Sequence, residues 1–425
     1  MQRRRFILDS AKCAAGTFIV PRHVLGGPGY TAPSDIITLG VIGTGKQSRG
    51  LASRFAKQDQ CIILAGCDVD SRKLSFFKDH VIKVNAESGL PKSPVSIFSD
   101  YRELLASPDI DAVIIATPDH WHAKMSIDAM KAGKDVYCEK PLAHTIVEGR
   151  AMVKATAKYK RVLQTGSMQR SNERFRFAAE LVRNGYIGDI QKVLVSVGDP
   201  AVHCNLASEP TPMTLDWDQW LGPAPERGYH PGIAPPLEED VWAQWRQYRE
   251  YGGGILSDWG AHMFDIVQWA LDMDASGPVL LIPPSDPLAK RGLKMIYDNG
   301  IEMVHEDFGR GWAVRFIGSK GRLDVSRSFL DSDPVELSEI KIGPNDNKVY
   351  HSDNHYQDWI SAIKNRTQPI CDVETGHRSS SVCNLANIAY QMRKPIRWDP
   401  VKEKFAKDKQ ANALRTKEYR KPYKT

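Results

Sequence analysis

The chain from residue 36 to about residue 140 alternates between short apolar runs and stretches with helical periodicity. Four of the apolar runs lie at residues 36–42, 61–67, 111–116 and 134–138. A run of this length that is bounded by turn residues is typical of a strand buried on both faces. Strands that alternate with helices predict a right-handed, mostly parallel and doubly wound α/β sheet, that is, a Rossmann domain.

The first two apolar runs end in residues that suit a dinucleotide. The first run ends at Gly43, Thr44 and Gly45, and the second ends at Asp68. The first glycine of such a turn permits the bend, and the second lets backbone amides approach a pyrophosphate at the start of the next helix. An acid after the second strand binds the adenosine ribose hydroxyls, so the pattern favours NAD.

Three details leave alternatives open at this turn. Ser48 stands where the dinucleotide fingerprint has its third glycine, and a Gly-x-Gly pattern alone is also compatible with an ordinary turn. Asp68 could instead cap the helix that follows it. Arg72 lies close enough to keep NADP open as the cofactor.

The third and fourth apolar runs end beside candidate catalytic chemistry. Thr117 and Pro118 follow the third run, and Lys140 follows the fourth. Ligands of doubly wound sheets bind at the carboxyl ends of the strands, so we expect these residues at the same edge of the sheet as Gly43 and Asp68. The alternative for Lys140 is a solvated turn residue before a proline.

A helix is predicted from Ser257 onward, with a buried stripe formed by residues 263, 264, 267, 270 and 271. Asp258 and His262 are four positions apart and share one face near its N-terminus. The carboxylate can orient or polarise the imidazole, which titrates in a range useful for proton transfer. The alternative is an acid in the first helical turn together with a packed histidine.

The region from His203 to Tyr251 is rich in tryptophan, tyrosine and proline. Aromatic faces with polar edges suit carbohydrates, because sugar C–H surfaces stack while hydroxyls need hydrogen bonds. Residues 215–223 look more like a structural loop cover than a sugar platform. The residues that we expect in the substrate cleft are Tyr229, His230, Trp245 and Arg246, together with His355, which could equally be a helix-capping core residue.

Composition adds bounds to this picture. With 425 residues and 42% apolar content, the chain can bury a large core and is expected to form two domains. The formal net charge of +6 is concentrated at the two ends, since residues 401–425 carry nine basic residues against three acids and residues 1–22 carry five against one. The remaining body is negative, which argues against a nucleic-acid or anionic-membrane surface.

The first residues have the composition of an export signal. Arg3, Arg4 and Arg5 precede a weakly apolar run at residues 14–20, which is far shorter than the roughly 20 residues of a membrane span. This pattern resembles a twin-arginine signal, and we expect periplasmic localisation, with no membrane span in the mature protein. The alternatives are a frayed amphipathic N-terminus and a cytoplasmic protein.

The seven cysteines show no zinc spacing, and no metal site is predicted. Cys61 and Cys67 are expected to be small core residues. In a periplasmic protein Cys371 and Cys383 could form a disulfide, although the sequence does not require one. The basic segment 401–425 is expected to be a solvated extension or an arm that wraps a second subunit.

Several motifs together resemble the Gfo/Idh/MocA family of oxidoreductases. They are the Gly43–Gly45 turn, Asp68, the segment 116–118 with His122, the sequence Glu139-Lys140-Pro141, the segment 253–262, the segment 316–323, and the segments 354–360 and 374–378. The resemblance covers about residues 36–400. It implies an N-terminal Rossmann domain and a C-terminal α+β domain with an open, mainly antiparallel sheet.

The resemblance also implies roles for individual residues. The family's catalytic lysine, aspartate and histidine correspond to Lys140, Asp258 and His262. It implies a cofactor site, for NAD or possibly NADP, formed by Gly43, Thr44, Gly45, Asp68, Thr117, Pro118, His122, Glu139 and Gln169. It further implies a small carbohydrate or polyol substrate, no nucleic-acid partner, and a homo-oligomer such as a dimer or tetramer.

The expected organisation is an export signal and linker at residues 1–32, a Rossmann domain at 33–160, a substrate and oligomerisation domain at 161–400 whose closing helices at 354–392 pack back, and the basic tail at 401–425.

Three functions remain open. The first is oxidation of a sugar, cyclitol or glycoside hydroxyl with NAD(P). The second is redox-neutral glycosidic cleavage with tightly bound NAD, and the third is carbohydrate binding without catalysis, against which Lys140, Asp258 and His262 together argue.

Overall fold

The computed structural model describes residues 35–90, 93–239 and 241–423, so the predicted export signal and Cys13 lie outside the described residues. From residue 38 onward the chain forms one compact unit that contains two β-sheets.

The first sheet has six strands and alternates with helices, as predicted. Its strands are β1 (Ile37–Ile42), β2 (Cys61–Cys67), β3 (Ser96–Phe98), β4 (Ala112–Ile115), β5 (Asp135–Cys138) and β6 (Leu163–Thr165). Its helices are α1 (Lys46–Phe55), α2 (Ser71–Glu87), α3 (Tyr101–Ala106), α4 (Asp119–Lys131) and α5 (Ile146–Tyr159).

The strand order is β3-β2-β1-β4-β5-β6, which is the doubly wound arrangement expected from the alternating pattern. The pairs β1–β4, β4–β5 and β5–β6 are parallel, so the carboxyl ends of these strands meet at one edge. Strands β1, β4 and β5 are almost wholly buried, which explains their unbroken apolar runs. Strand β6 lies just beyond the expected domain boundary at residue 160.

The second sheet has nine strands in the order β13-β12-β11-β7-β10-β9-β8-β14-β15. Most pairs are antiparallel, while β7 and β10 are parallel. The strands are β7 (Ile190–Ser196), β8 (Leu280–Ile282), β9 (Leu293–Ile296), β10 (Glu302–His305), β11 (Ala313–Gly318), β12 (Gly321–Val325), β13 (Leu330–Asp333), β14 (Ile396–Asp399) and β15 (Lys404–Phe405).

One face of this sheet packs against helices to form the larger core. The helices of this part of the chain are α6 (Glu173–Arg183), α7 (Trp217–Leu221), α8 (Gly254–Ala270), α9 (His355–Asn365), α10 (Val373–Met392) and α11 (Lys409–Ala413). Helix α8 begins three residues before the predicted Ser257. It is buried along most of its length, because α6, α10 and the sheet surround it.

The basic C-terminal segment is folded, which corrects the expectation of a solvated extension. Phe405 and Ala411 belong to the larger core. The Tyr423 ring packs edge-on against Trp121 of the Rossmann domain at 5.3 Å. The segment remains basic, but its aromatic and small residues bury against its own chain.

The disulfide between Cys371 and Cys383 is not formed. Both residues are buried free thiols, and they donate hydrogen bonds to the carbonyl oxygens of Ser167 and Ser257, respectively. Burial raises the pKa of both thiols above the ordinary value. Among the helices of the described ranges, none is both long and apolar enough to cross a membrane.

Candidate active site

The turn after β1 has the geometry that a pyrophosphate needs. Gly43 has a φ of +86°, and a Cβ atom there would lie 2.8 Å from the amide nitrogen of Thr117. A Cβ atom on Gly45 would meet nothing within 4 Å, so the space in front of α1 is open. Gly45 precedes α1 without a side-chain cap, which leaves the first amides of the helix available to an anion.

The placement of the Ser48 side chain explains how the turn accommodates serine where the dinucleotide fingerprint has its third glycine. Its side chain is fully buried, and its hydroxyl donates to the carbonyl oxygen of Gly45 at 2.7 Å. The hydroxyl therefore stays on the helix side of the turn and leaves the phosphate side clear.

Asp68 lies at the carboxyl end of β2 and faces this turn. Its Oδ2 accepts hydrogen bonds from the amide of Thr44 at 2.6 Å and from the Thr44 hydroxyl at 3.0 Å. The alternative role as a helix cap is wrong, because Asp70 caps α2 by accepting from the amides of Arg72 and Lys73. Asp68 Oδ1 also accepts from the amide of Asp70 at 2.9 Å, so these bonds hold the carboxylate at the end of β2, where the ribose of a dinucleotide is expected.

A cleft of about 1230 Å³ opens over this edge of the sheet. Its floor is formed by the Gly43–Gly45 turn, Asp68 and Thr117, and its roof by parts of the segment 215–246. The Thr117 hydroxyl is buried without a hydrogen-bond partner among the described residues. An unpartnered polar atom, an open glycine and a ribose-binding acid in one cleft fit NAD.

The roof is hydrogen-bonded to the Rossmann domain next to Asp68. The amide of Ser71 donates to Thr214 and the amide of Asp216 donates to Val69, both at 2.9 Å. Lys73 adds a bond of 2.6 Å from its Nζ to the carbonyl oxygen of Pro235. Residues of the segment 215–223, which the sequence suggested to be a structural loop cover, therefore form part of the roof over the adenosine end of the cleft.

Lys140 and Asp258 meet at the end of β5. Lys140 Nζ donates to Asp258 Oδ1 at 2.6 Å and to the Asp258 carbonyl oxygen at 2.9 Å. Arg246 Nε lies 3.7 Å from the same carboxylate oxygen. Burial by itself would raise the pKa of Asp258, but the charges of Lys140 and Arg246 outweigh it and hold the pKa below its ordinary value.

His262 is one turn further along α8 and is buried. The expected contact with the Asp258 carboxylate is absent among the described residues, since that carboxylate binds Lys140 and Arg246 instead. The His262 Nδ1 is buried without a hydrogen-bond partner there. Burial, followed by the charge of Lys140, lowers the pKa of His262 well below its ordinary value, so the imidazole is neutral at physiological pH.

His122 and Glu139 make hydrogen bonds next to this cluster. The two ring nitrogens of His122 lie 2.8 Å from the carbonyl oxygen of Pro141 and 2.9 Å from that of Thr117. Glu139 accepts a hydrogen bond of 2.9 Å from Gln47 of α1. His122 therefore connects the ends of β4 and β5, and Glu139 connects the end of β5 to α1. Direct contact of either residue with a cofactor stays a prediction, as does the placement of Pro118 beside one.

Gln169 connects the cluster to the second sheet. Its amide nitrogen lies 3.5 Å from the carbonyl oxygen of His262, and its amide oxygen accepts from Arg327 Nε at 3.0 Å. This arrangement places Gln169 beside α8, the helix that carries Asp258 and His262. A contact between Gln169 and the cofactor stays a prediction.

The candidate substrate residues separate into two groups. Arg246 reaches Asp258, and the buried Trp245 supports it, with the guanidinium 4.3 Å from the ring centroid. The structure does not bring Tyr229 and His230 to this cluster. His355, in contrast, is a buried neighbour of His262, and after burial and the nearby cations it contributes to lowering the pKa of His262. Tyr229 is buried and donates to Ala234, His230 accepts from the amide of Gly232, and His355 contacts the carbonyl oxygen of Thr165.

The sequence analysis missed two residues near the cluster. Asp119 begins α4 and is buried, and burial followed by the charge of Asp258 raises its pKa to about 8. Its position directly after Pro118, at the end of β4, was a usable signal. Arg327 comes from the loop after β12, and no local pattern in the sequence connects that loop to Lys140.

The fold and the cluster define an NAD-binding oxidoreductase with two domains and a lysine, a carboxylate and a histidine at the junction. The family model described as "Oxidoreductase family, NAD-binding Rossmann fold" matches residues 37–167. The family model described as "Oxidoreductase family, C-terminal alpha/beta domain" matches residues 197–425. The chain belongs to the Gfo/Idh/MocA family, which confirms the resemblance.

Individual relatives agree with this assignment. The uncharacterized oxidoreductase YrbE of Bacillus subtilis is 30% identical over 382 residues, which cover 85% of this chain and 96% of that protein. Myo-inositol 2-dehydrogenase of Thermotoga maritima is 25% identical, over 67% of this chain and 74% of that protein. A glycosyl hydrolase family 109 protein of Shewanella pealeana is 35% identical, but the match spans only 35% of each chain.

Among solved structures, the WlbA dehydrogenase of Bordetella pertussis in complex with NADH and UDP-GlcNAcA has a similar fold. The TM-score is 0.59 at 19% identity, and the superposition covers 86% of this chain and 98% of that chain. The predicted two-domain architecture is thereby confirmed at the level of the fold.

Proposed function

We propose that this protein oxidises a hydroxyl-bearing carbon of a sugar, cyclitol or glycoside with NAD, or catalyses the reverse reduction. The observation that carries this proposal is the ion pair between Lys140 and Asp258, which lies at the strand edge that binds the cofactor. The names of the related myo-inositol and WlbA dehydrogenases support the substrate class.

The chain's own residues suggest a division of labour. When bound, NAD supplies the acceptor for a hydride from the substrate carbon. The buried His262 is neutral and its Nδ1 has no hydrogen-bond partner among the described residues, so it can accept the hydroxyl proton transiently. Burial and the charge of Lys140 disfavour the imidazolium, which favours release of that proton. The ammonium of Lys140, held by Asp258, can stabilise the oxygen as negative charge develops on it.

Removal of the Lys140 ammonium tests this proposal. We expect Lys140→Met to lower kcat for NADH formation by roughly 10²- to 10³-fold, the usual contribution of a positioned group that stabilises developing negative charge, while NADH affinity changes little. Stopped-flow turnover and NADH fluorescence titration measure the two quantities. Turnover like that of the wild type would remove Lys140 from the mechanism.

A redox-neutral glycosidase is the second candidate, because the glycosyl hydrolase family 109 proteins include relatives with 35% identity to part of this chain. In this reaction the same bound NAD would be reduced and then reoxidised within one turnover. Protein that retains nucleotide after purification is incubated with p-nitrophenyl glycosides in the absence of added NAD. Release of p-nitrophenol that is lost in Lys140→Met supports this candidate, and oxidation without release supports the dehydrogenase.

A further inference from the structure

Arg327 is a cation that the fold holds rigidly beside the catalytic cluster. It follows β12, and its Nε donates to the buried amide oxygen of Gln169 at 3.0 Å. Its guanidinium lies 4.7 Å from the centroid of the Trp259 ring, directly next to Asp258 on α8. These two contacts orient the guanidinium, which is partly desolvated although the residue as a whole remains exposed.

Arg327 has no acidic partner within ion-pair distance among the described residues, in contrast to neighbouring arginines of the same sheet. Arg310 and Arg315 both bind Asp324, and Arg310 also binds Asp331. Hydrogen bonds to these aspartates raise the pKa of both arginines, whereas burial lowers the pKa of Arg327. The charge of Arg327 is thus incompletely compensated within this chain.

The acids near Arg327 already have other partners. Asp258 is bound by Lys140 and Arg246. Glu139 accepts from Gln47, and burial raises its pKa above the ordinary value. Arg327 is therefore a cation beside the cluster whose charge has no ion-pair partner among the described residues.

An aromatic surface lies next to this charge. The Trp259 ring is stacked on Trp312, with centroids 4.6 Å apart and planes 22° apart. Trp259 also lies 5.7 Å from the His262 ring, and both tryptophans are partly exposed. A sugar ring placed on such a surface would present its substituents to Arg327 and its carbinol to His262.

We propose that the two η nitrogens of Arg327 bind a carboxylate of the substrate, so that the substrate class is a sugar acid such as a uronate. The planar fork of arginine matches a carboxylate with two parallel hydrogen bonds, and Trp259 and Gln169 orient it before the substrate binds. This inference rests on the proposed oxidation of a sugar hydroxyl, and it makes Arg327 a determinant of specificity.

The test compares matched acidic and neutral sugars on the full chain with bound NAD. D-glucuronate is paired with D-glucose, D-galacturonate is paired with D-galactose, and D-glucose 6-phosphate serves as a different anion. We expect kcat/KM for nucleotide reduction to be at least about 10-fold higher for a uronate than for its neutral partner. Arg327→Met should remove that preference by raising KM for the uronate about 10- to 100-fold, with the neutral sugar changed less than about 3-fold.

Two further variants separate recognition from a structural role. Arg327→Lys keeps the charge but loses the fork, so it should restore only part of the preference. Arg310→Met removes an arginine that is already paired with aspartates of its own sheet, and it should leave the ratio of acid to neutral sugar unchanged.

The inference is overturned if no uronate is preferred over its neutral partner, if the phosphate is preferred over both uronates, or if Arg327→Met weakens both sugars equally. In each of these cases, the proposed function stands if the protein still oxidises any of the sugars tested and this oxidation depends on Lys140. Absence of oxidation of every hydroxyl compound by protein with bound NAD overturns the proposed function and this inference with it.

Discussion

At the scale of single residues, Asp119 is the clearest departure from the rule that buried charge is paired. It is 5% exposed, and no hydrogen bond joins its carboxyl group to another described residue. Burial and the charge of Asp258 raise its pKa to about 8, against the opposing effects of Lys140, Arg246 and Lys417. At neutral pH the carboxyl group is therefore mostly protonated in the folded protein.

This shift predicts a pH-dependent cost to stability. The unfolded Asp119 ionises near pH 4, so between that pH and about pH 8 the folded state holds one more proton. Stability from this group is present below the unfolded pKa and is lost as the pH rises towards 8, at up to about 1.4 kcal/mol per pH unit. Asp119→Asn should abolish this slope in urea unfolding between pH 5 and pH 8. Parallel pH profiles for the two proteins would contradict the assignment.

At the scale of elements, the C-terminal segment fastens the roof of the cofactor cleft. Arg420 binds Asp218 and donates from Nε to the carbonyl oxygen of Gly222 at 2.9 Å. Beneath the roof, Trp121 Nε1 donates to the carbonyl oxygen of Trp220 at 3.0 Å. The helix α7 is thus held from both sides over the floor that carries Gly43 and Asp68.

This arrangement predicts that the tail slows cofactor release, because the roof closes the adenosine end of the cleft. Arg420→Ala should accelerate NADH dissociation about 10-fold, which corresponds to a loss of about 1.4 kcal/mol. Displacement of NADH by excess NAD, followed by stopped-flow fluorescence, measures this rate. Lys421→Ala removes an adjacent exposed charge and is the control, and equal rates in Arg420→Ala and wild type would refute the fastening role.

At the scale of the whole molecule, a buried ionic network joins segments that are distant in the sequence. Arg170 is 2% exposed and donates to Asp265 of α8 at 2.8 Å and to Asp274 at 2.6 Å. Ser379 of α10 also donates to the Asp265 carboxylate. The network ties the segment after β6 to α8, which carries Asp258 and His262, and to α10.

Loss of one partner would leave buried carboxylates without a counter-charge. We expect Arg170→Met to reduce the free energy of unfolding by about 3–5 kcal/mol. Arg322→Met, which removes a half-exposed arginine paired with Asp333, should cost less than about 1 kcal/mol. Urea denaturation followed by circular dichroism compares the two, and similar losses would show that the network adds nothing to an exposed pair.

The sequence by itself determined the Rossmann sheet and the shared edge that carries Gly43, Asp68, Thr117 and Lys140, whereas only the family resemblance connected Asp258 with Lys140. Buried parallel strands must be continuous apolar runs, and their carboxyl ends must share an edge, so local periodicity was enough to place these residues together. The tight turn at Gly43 likewise follows from a conformation that other residues adopt only with strain.

Only the tertiary structure decided the contacts made across long sequence separations. Arg327 reaches the cluster from the loop after β12, Arg246 lies with Lys140 beside the Asp258 carboxylate, and the basic tail packs against the roof of the cleft. Such pairings depend on how two independently patterned domains are oriented, and neither hydrophobic periodicity nor charge along the chain contains that information. The sequence therefore predicts the class of chemistry. Which side chains are available to bind a substrate, such as Arg327 and Arg246, depends on how the two sheets pack.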